Sequence, residues 1–455
     1  MSTTHEHQIA LAAGRSLPLL AVDDPARTIA WRAGRPVRAD EFLAHVRAVA
    51  SHLPHAAHAV NLCEDRYAFL VAFCAVLLSG QTNLLPPSRA PQAVDEAMAA
   101  HPGCYTLGEQ ALDPLPPEYL HLPPLHALPR TDAPFVVPRI PAAQVAAIGY
   151  TSGSTDRPQP NVKTWGSFCT STGGNLAMLR RHLAEPFHVV ATVPPQHMYG
   201  MEMSVLLPLL GGIGVHAGRP LFPADVARAL AEVPAPRVLV TTPVHLRALL
   251  ESDAALPPLA ALLSATAPMP VELARAAEAR YGAPLLEVFG STETCVFASR
   301  RSARDEPWHL YPGVRLHPQP DGTQIEAPQL ATPATLADIV ELTDGGFCLR
   351  GRNIDLLEIA GKRASLGDLT RRLLALPGVT DGIMFQLDGA DALSVRRIAA
   401  LVVAPGRSEA ELLEALRRAI DPVFLPRPLR KVDALPRNDT GKLPRAALLA
   451  LLRSP

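Results

Sequence analysis

A loop rich in hydroxyl groups, TSGST at residues 151–155, is the stretch of this chain best suited to chemistry. It follows the apolar run 146–150, which predicts a buried strand. After such a strand, the N–H groups and hydroxyls of a glycine-containing loop can converge on one anion, and phosphate is the natural candidate. The loop is not a Walker A sequence, because neither Gly-Lys pair, at 361–362 and 441–442, precedes Ser or Thr. The alternative interpretation of this loop by itself is a surface turn.

Three later segments add groups that could take part in the same chemistry: VFGSTET at 288–294, GRNIDLLEIAGKR at 351–363 and LPRNDTGKLPR at 435–445. The Glu293 carboxylate in the first segment can bind a hard divalent cation that also bridges phosphates. Alternatively, Ser291 or Thr292 caps a helix, and Glu293 lies near the positive end of that helix.

Strand and helix patterns alternate around these segments. Residues 59–63, 64–79 and 82–85 predict a strand, a helix and a strand, and the alternation returns between residues 237 and 289. This order is typical of parallel α/β sheets, which bind ligands at the carboxyl ends of their strands. From residue 351 the pattern changes to a small α+β unit with a capping box at Ser408 and Glu411.

The sequence therefore predicts an α/β fold with a large N-terminal domain of layered α/β subdomains, residues 1–351, and a small α+β C-terminal domain, residues 352–455. Within the first domain, Asp40 is expected to cap a helix that continues to residue 53. The proline-rich stretch 114–139 predicts an extended linker between subdomains.

Composition excludes several classes of function. The formal net charge is −1, and no basic patch marks a nucleic-acid binder. The longest apolar run, 67–78, is too short to cross a bilayer, and the N-terminus lacks a signal-type apolar core, so we expect a cytoplasmic protein without a membrane partner. The 6 cysteines are scattered without a C-x-x-C pair and predict neither a zinc site nor a disulfide framework.

Taken in order, the four segments resemble the adenylate-forming superfamily of acyl-CoA synthetases, aryl-CoA ligases, luciferases and nonribosomal adenylation domains. The resemblance implies that ATP and Mg²⁺ are bound and that a carboxylate attacks the α-phosphorus of ATP. Both reactants are negatively charged, so the site must neutralise phosphate charge and align the attack. The resemblance also implies that the C-terminal domain is a mobile lid.

The resemblance assigns most nucleotide contacts to three segments. The TSGST loop holds the β- and γ-phosphates, Phe289 stacks on adenine, Thr292 contacts the α-phosphate, and Glu293 binds Mg²⁺. The LSATAPMP segment, 263–270, lies near the purine. The nucleotide-binding residues expected in these segments are Thr151, Ser152, Gly153, Ser154, Thr155, Ala265, Thr266, Ala267, Phe289, Gly290, Ser291 and Thr292.

Ribose contacts are expected from two residues farther along the chain. Asp338 matches the family's ribose-binding aspartate, although Leu336-Ala337 replaces the usual Thr-Gly before it, and Arg352 would be the second contact. Asp344 is a competing candidate. Asp338 is preferred because the sequence from Asp344 to Phe347, DGGF, predicts a tight turn.

Catalytic roles are implied for Lys442, Glu293, Thr292 and His197. Lys442 reaches the α-phosphate and the attacking carboxylate during adenylation, and a flexible point charge suits that task. His197, in the Pro-x-His-x-x-Gly segment 195–200, borders the acyl pocket and contacts the carboxylate or the phosphates; a purely structural histidine is the alternative. Gly361 resembles the glycine beside which pantetheine passes.

Three positions depart from the family pattern. Asp156 and Gln159 replace a glycine and a lysine of the phosphate loop, and Ile354 replaces a charged hinge residue. Lys163 is a candidate substitute for the missing lysine.

The implied activity is that of an ATP-dependent acid–thiol ligase, which forms an acyl or aryl adenylate and then a thioester on CoA or on the phosphopantetheine of a separate acyl carrier protein. The stretches NLCEDR (61–66) and LLPPSR (84–89) resemble the free-standing ligases of bacterial aryl-polyene and xanthomonadin-type pigment clusters. That resemblance implies an aromatic substrate such as a hydroxybenzoate. The alternative is a carrier-protein-binding or regulatory pseudoenzyme, suggested by the three departures.

Overall fold

The computed structural model describes residues 14–127, 134–151, 159–184, 186–319, 322–352, 356–359, 362–390, 396–438 and 441–453. The chain forms two compact units. The N-terminal unit runs to Asp305 and includes Tyr311–Val314 and Ala327–Thr332; the C-terminal unit contains Glu306–Leu310, Arg315–Glu326 and the chain from Pro333 onward.

The strands of the N-terminal unit are β1 (Ser16–Pro18), β2 (Thr28–Arg32), β3 (Arg35–Arg38), β4 (His58–Asn61), β5 (Thr82–Leu85), β6 (Tyr105–Gly108), β7 (Tyr119–His121), β8 (Arg139–Pro141), β9 (Val145–Thr151), β10 (Gln159–Thr164), β11 (His188–Ala191), β12 (Gly214–His216), β13 (Arg237–Thr241), β14 (Ala261–Ser264), β15 (Leu285–Ser291) and β16 (Cys295–Arg300). Its helices are α1 (Ala39–Ala50), α2 (Arg66–Leu78), α3 (Pro91–Ala99), α4 (Trp165–Leu179), α5 (Met198–Met201), α6 (Leu207–Gly211), α7 (Pro223–Ala231), α8 (Pro243–Glu251) and α9 (Val271–Tyr281). A 3₁₀ turn spans Leu125–Ala127, and a π-helical segment, Glu202–Leu206, joins α5 to α6.

Two sheets organise the N-terminal unit. The first has the order β10-β9-β5-β4-β6-β7 and is parallel except for the β9–β10 pair. The second runs β16-β15-β14-β13-β11-β12-β2-β3 and is parallel from β15 to β2. The carboxyl ends of β9, β11, β14 and β15 lead into the segments with predicted function, as expected for parallel α/β sheets.

Helix α2 has an almost continuous apolar sequence and is buried within this unit. All its residues from Arg66 to Leu77 are buried, so it is apolar on every side rather than on one stripe. Asp65 caps it, because the Asp65 carboxylate accepts the Ala68 N–H at 2.8 Å. The single arginine, Arg66, is fully buried; its guanidinium donates to Ser204 Oγ and to the carbonyl oxygens of Ala191 and Val193, at 3.0 and 2.8 Å.

The C-terminal unit contains the strands β17 (Trp308–Leu310), β18 (Arg315–Gln319), β19 (Gly322–Glu326), β20 (Ala334–Leu336), β21 (Asp338–Thr343), β22 (Gly346–Arg352), β23 (Leu356–Ile359), β24 (Lys362–Ser365), β25 (Asp381–Ala390), β26 (Arg396–Val403) and β27 (Leu429–Lys431). Its helices are α10 (Leu366–Leu374), α11 (Glu409–Ala419) and α12 (Arg445–Arg453). A 3₁₀ turn spans Pro422–Phe424. Strands β21, β22 and β17 pair in that order, as do β18-β19-β20, β23-β24 and β25-β26-β27. Leu373, Ala400 and Leu412 lie at the centre of its core.

The expected fold class is confirmed: the chain is a mixed α/β protein with a large N-terminal part and a smaller C-terminal part. The capping box is also present, since Ser408 Oγ accepts the Glu411 N–H and Glu411 accepts the Ser408 N–H at 2.7 Å. The boundary at 351/352 stays a prediction, and residues 353–355 lie outside the described part. None of the helices in that part has the length and apolar character needed to cross a membrane.

Two local expectations are wrong. Asp40 is not a helix cap, because β3 runs directly into α1 and places Arg38 at the N-cap; the Asp40 carboxylate pairs with Arg38 at 2.9 Å. The stretch 114–139 is not simply a linker, because β7 lies within it and pairs in parallel with β6. The β2–β3 hairpin was not expected; its two-residue Ala33-Gly34 turn has positive φ at both residues, and alanine is not a residue that signals such a turn.

Helix α4 contains adjacent glycines with opposite surroundings. A Cβ on Gly173 would meet no atom within 4 Å, whereas one on Gly174 would lie 2.8 Å from Tyr311 Cδ2. The buried Tyr311 ring is held by its hydroxyl, which donates to Asn175 Oδ1 at 3.1 Å.

We therefore expect Gly173→Ala to raise the free energy of unfolding by about 0.5–1 kcal/mol, because alanine costs less backbone entropy in a helix. Gly174→Ala should lower it by about 1–3 kcal/mol through overpacking. Urea denaturation of both variants measures the difference, and shifts of the same sign would contradict this account of the helix.

Candidate active site

Three predicted functional segments meet at Gly149, near the end of β9. A Cβ on Gly149 would lie 2.9 Å from Thr292 Cγ2 and 3.3 Å from Met198 Cε. The strand that leads to the TSGST loop therefore packs directly against VFGSTET and against the Pro-x-His-x-x-Gly segment. Thr151 ends β9, and its side chain and residues 152–155 lie outside the described part of the chain.

VFGSTET forms a β-hairpin, not the start of a helix, so the helix-cap alternative is wrong. Strands β15 and β16 pair antiparallel across a turn at 292–294. Within it, Thr294 Oγ1 accepts the Ser291 N–H at 3.0 Å, and Ser291 Oγ accepts the Thr294 N–H at 3.3 Å. A Cβ on Gly290 would overlap Cys295 O and lie 2.7 Å from Val296 Cα, so only glycine fits there.

The hairpin presents Phe289, Thr292 and Glu293 as half-buried side chains. The Phe289 ring lies edge-to-face on the fully buried Phe297 ring, with centroids 5.3 Å apart. This contact fixes the orientation of the ring that is predicted to stack on adenine. Cys295, which follows the turn, has φ +59°, a strained backbone conformation for a residue other than glycine.

Lys163 does not lie in an exposed phosphate loop. It is on β10 opposite Ala147, its side chain is only 5% exposed, and its ammonium donates to the Glu293 carbonyl at 2.6 Å. The expectation that Lys163 replaces the missing loop lysine is therefore replaced by another role: the side chain holds the backbone of the VFGSTET turn.

LSATAPMP begins in the last two residues of β14 and contains a residue with a strained backbone. Thr266 has φ +80°, which is unfavourable for a β-branched residue and typical of functional sites. Ala265 before it is buried, and Ala267 is half-buried. The segment is held at both ends, because Tyr199 Oη donates to the Leu263 carbonyl at 2.9 Å and Glu287 accepts the Met269 N–H at 3.3 Å.

His197 has a structural role as the N-cap of α5. Its Nδ1 accepts the Tyr199 N–H at 3.3 Å, so the proton of the neutral ring is on Nε2. The glycine of this motif is explained by packing, since a Cβ on Gly200 would overlap Pro194 O. A contact between His197 and the substrate stays a prediction.

In the C-terminal unit, the two predicted ribose contacts are cross-strand neighbours. Asp338, at the start of β21, lies opposite Arg352, at the end of β22. Asp344 lies at the other end of the same hairpin, in the turn between the strands, as its DGGF sequence predicted. The side chain of Arg352 and residues 354 and 361 lie outside the described part.

Lys442 is exposed on a loop whose backbone is fixed by neighbouring residues. Arg437 forms a two-pronged ion pair with Asp381, at 2.7 and 3.1 Å, and donates to the Gly441 carbonyl at 3.0 Å. Asn438 exchanges hydrogen bonds with Lys442, through its N–H at 2.8 Å and its Oδ1 at 2.9 Å. Gly441 has φ +81°, which explains the glycine before the lysine.

Sequence reasoning missed two residues that shape this site, Gly149 and Glu202. Glu202 is 1% exposed and accepts the Val296 N–H at 2.9 Å, just after the VFGSTET turn. Its signal was a single carboxylate in the otherwise apolar stretch MEMSVLLPLL. A buried charge of this kind requires a specific set of partners.

Comparison with known proteins shows which family this chain resembles. Residues 39–326 match the AMP-binding enzyme family. The chain is 30% identical over 301 residues to 4-coumarate–CoA ligase of Rhodobacter capsulatus, covering 65% of this chain and 74% of that protein. It is 29% identical over 300 residues to the Cereibacter sphaeroides protein of the same name, covering 64% and 69%.

Among solved structures, o-succinylbenzoate CoA synthetase of Bacillus subtilis in complex with its acyl-adenylate intermediate has a TM-score of 0.76 to this chain. The likeness covers 97% of this chain and 99% of that one at 17% identity, which establishes a shared fold. The family match includes the VFGSTET segment at 288–294. This chain belongs to the AMP-binding enzyme family.

Proposed function

We propose that this protein is an ATP-dependent acid–thiol ligase. It activates a carboxylic acid as an acyl or aryl adenylate and then transfers the acyl group to a thiol. The observation that carries the proposal is the VFGSTET hairpin, which presents Thr292 and Glu293 on a fixed turn packed against Gly149 of the strand that leads to TSGST. The family membership supports it.

The donor set of the turn suits magnesium bound together with phosphates. Mg²⁺ usually takes one or two protein carboxylates and completes its shell with phosphate and water oxygens. Glu293 supplies such a carboxylate, and no cluster of three His, Cys, Asp or Glu residues competes for a metal in the described part of the chain. The bound ion would neutralise phosphate charge.

In the first half-reaction, a carboxylate oxygen bonds to the α-phosphorus, and the bond between that phosphorus and the bridging oxygen of pyrophosphate breaks. Thr292 donates to the α-phosphate, Lys442 places a positive charge near the same phosphate and the carboxylate, and residues 151–155 bind the departing phosphates. Phe289, Ala265, Thr266 and Ala267 hold the adenine, and Asp338 and Arg352 hold the ribose.

In the second half-reaction, a thiolate attacks the carbonyl carbon of the adenylate, and AMP leaves with the bonding electrons. The thiol belongs to CoA or to the phosphopantetheine of a separate acyl carrier protein, and passes Gly361. The domain of residues 352–455 acts as a mobile lid, and its movement changes the site from the first half-reaction to the second.

The acid is aromatic, of the hydroxybenzoate type. Two observations support this choice: the relatives named as 4-coumarate–CoA ligases, and the NLCEDR and LLPPSR stretches, which resemble pigment-cluster ligases. The same resemblance implies a separate acyl carrier protein as the acceptor.

A second candidate function is a catalytically impaired protein that binds a carrier protein or has a regulatory role. It is favoured by one observation: Gln159 replaces the phosphate-loop lysine, and the candidate substitute, Lys163, is buried and donates to the Glu293 carbonyl.

Pyrophosphate exchange into ATP tests the proposal. The protein is incubated with Mg²⁺·ATP and labelled pyrophosphate, without thiol, across hydroxybenzoates, hydroxycinnamates and fatty acids. We expect exchange with a hydroxylated aromatic acid, followed by thioester formation when CoA or a phosphopantetheinylated carrier protein is added. Exchange with fatty acids alone would overturn the aromatic assignment; ATP binding without exchange with any acid would favour the impaired protein.

A further inference from the structure

Glu202 is a buried carboxylate with an unusually complete set of partners. It begins the π-helical segment after α5 and is 1% exposed. It accepts hydrogen bonds from Ser171 Oγ, from Asn175 Nδ2 at 3.1 Å, and from the Val296 N–H at 2.9 and 3.2 Å to its two oxygens. Burial raises the pKa of Glu202, and these donors, together with Lys163, oppose that rise.

Lys163 is the second buried charge of this region. It approaches from β10, and its ammonium donates to the Glu293 carbonyl at 2.6 Å. It also interacts electrostatically with the Glu202 carboxylate, which it stabilises in its charged form. The two opposite charges therefore share one environment behind the VFGSTET turn.

Together the two side chains bind the backbone of the turn from both of its ends. Lys163 holds the carbonyl of Glu293, and Glu202 holds the amide of Val296. Gln329 adds a third contact, because its Nε2 donates to the Thr294 carbonyl at 3.0 Å. These contacts fix the backbone that carries the Thr292 and Glu293 side chains.

Core stability alone is a weak reason for this arrangement. Well-packed apolar residues often stabilise a core as much as a buried pair of charges does, because the charges must be desolvated. Here both charged side chains form hydrogen bonds with backbone groups in or next to the VFGSTET turn. Such preorganisation of the groups that receive a phosphate and its metal is what catalysis of phosphoryl chemistry requires.

We propose that Glu202 and Lys163 are paired positioning residues that set the metal and α-phosphate contacts of Glu293 and Thr292. They act through the backbone of residues 293–296 and need not touch the nucleotide. This inference rests on the proposed ligase function and specifies how its phosphate-binding turn is held.

The test is a double-mutant cycle of Glu202→Gln, Lys163→Met and the combined variant, followed by pyrophosphate exchange and thermal unfolding. Each single change should raise the KM for Mg²⁺·ATP about tenfold, the size typical of losing a partner that orients a metal ligand. The KM for the acid should change less than about twofold, because the acid does not bind this turn.

Stability and catalysis should separate in the combined variant. The single variants leave one buried charge without its partner and lower Tm, whereas the neutral double variant recovers most of that loss. Its KM for Mg²⁺·ATP should remain raised. Recovery of Tm and KM together, or single variants with an unchanged KM for Mg²⁺·ATP, would show that the pair only stabilises the core and would overturn the proposal.

Thr172→Val is the matched control. Thr172 is buried beside Ser171 on α4, and its hydroxyl donates to Phe168 O within the helix, so the variant should keep wild-type KM values. If wild-type protein shows no exchange, the ligase function fails separately. The effect of Mg²⁺ on ATP affinity, measured by calorimetry, then decides the positioning role: a wild-type Mg²⁺ effect that Glu202→Gln leaves intact rejects it.

Discussion

Replacing Lys442 with alanine is expected to lower the rate of pyrophosphate exchange by about 10³-fold, because a cation is lost where negative charges must approach. The side chain is exposed, so the free energy of unfolding should change by less than about 0.5 kcal/mol. The Arg437–Asp381 pair and the Asn438 hydrogen bonds keep the loop in place without the lysine side chain. The measurement is exchange at saturating ATP and acid.

Two controls isolate the role of Lys442 in adenylation. Lys431→Ala removes another lysine of the same unit, on β27, and should leave exchange within about twofold of wild type. Thioester formation from a presynthesised acyl adenylate should survive in Lys442→Ala, since that half-reaction does not need the lysine. A Lys442→Ala protein that exchanges at the wild-type rate would eliminate this mechanism.

Gly149→Ala is expected to reduce exchange by about 10²-fold, because a misplacement of about 1 Å at a reacting group has effects of that size. The new Cβ would lie 2.9 Å from Thr292 Cγ2, so we expect the threonine to turn and its hydroxyl to leave the position from which we propose that it contacts the phosphate. Stability should fall by about 1–3 kcal/mol. Steady-state exchange and urea denaturation provide the two measurements.

A second substitution can restore the space at Gly149. Thr292→Ser removes the crowded methyl group and keeps the hydroxyl, so Gly149→Ala with Thr292→Ser should recover to within about fivefold of Thr292→Ser alone. No recovery would mean that the alanine acts by another route, for example through Met198, whose Cε lies 3.3 Å from the added Cβ.

Much of the fold could be predicted because the spacing of apolar residues was regular and turn residues marked the ends of the elements. The strand, helix and strand predicted at 59–63, 64–79 and 82–85 begin and end within two residues of β4, α2 and β5. The β2–β3 hairpin was missed because it is short and its pairing partner, β12, is distant in the sequence. Helix α1 begins before its predicted cap because β3 runs directly into it. This arrangement outweighed the preference of aspartate for the N-cap position.

The residues of the candidate site also differ in how far the sequence could indicate them. Motifs led to predictions of which residues contact the substrate, and these stay predictions; they did not indicate which residues hold the VFGSTET turn from behind. Lys163 was placed near a phosphate by sequence distance, whereas the antiparallel β9–β10 register turns it toward Glu293. Glu202 could not be assigned from sequence, since its partners Asn175 and Val296 come from elements 27 and 94 residues away. Such contacts depend on packing between elements, which has no local signature.

The buried Arg66 has a consequence for synthesis of the chain. The whole first sheet and α2 are encoded before residue 165, and this stretch could be mistaken for an autonomous folding module. Yet the guanidinium of Arg66 obtains its acceptors from Ala191, Val193 and Ser204, more than 120 residues downstream. Before these acceptors have been synthesised, packing α2 into its core would bury the Arg66 cation in an apolar interior without those hydrogen-bond partners. We therefore expect α2 and the first sheet to complete their packing only after residues 191–204 have been synthesised.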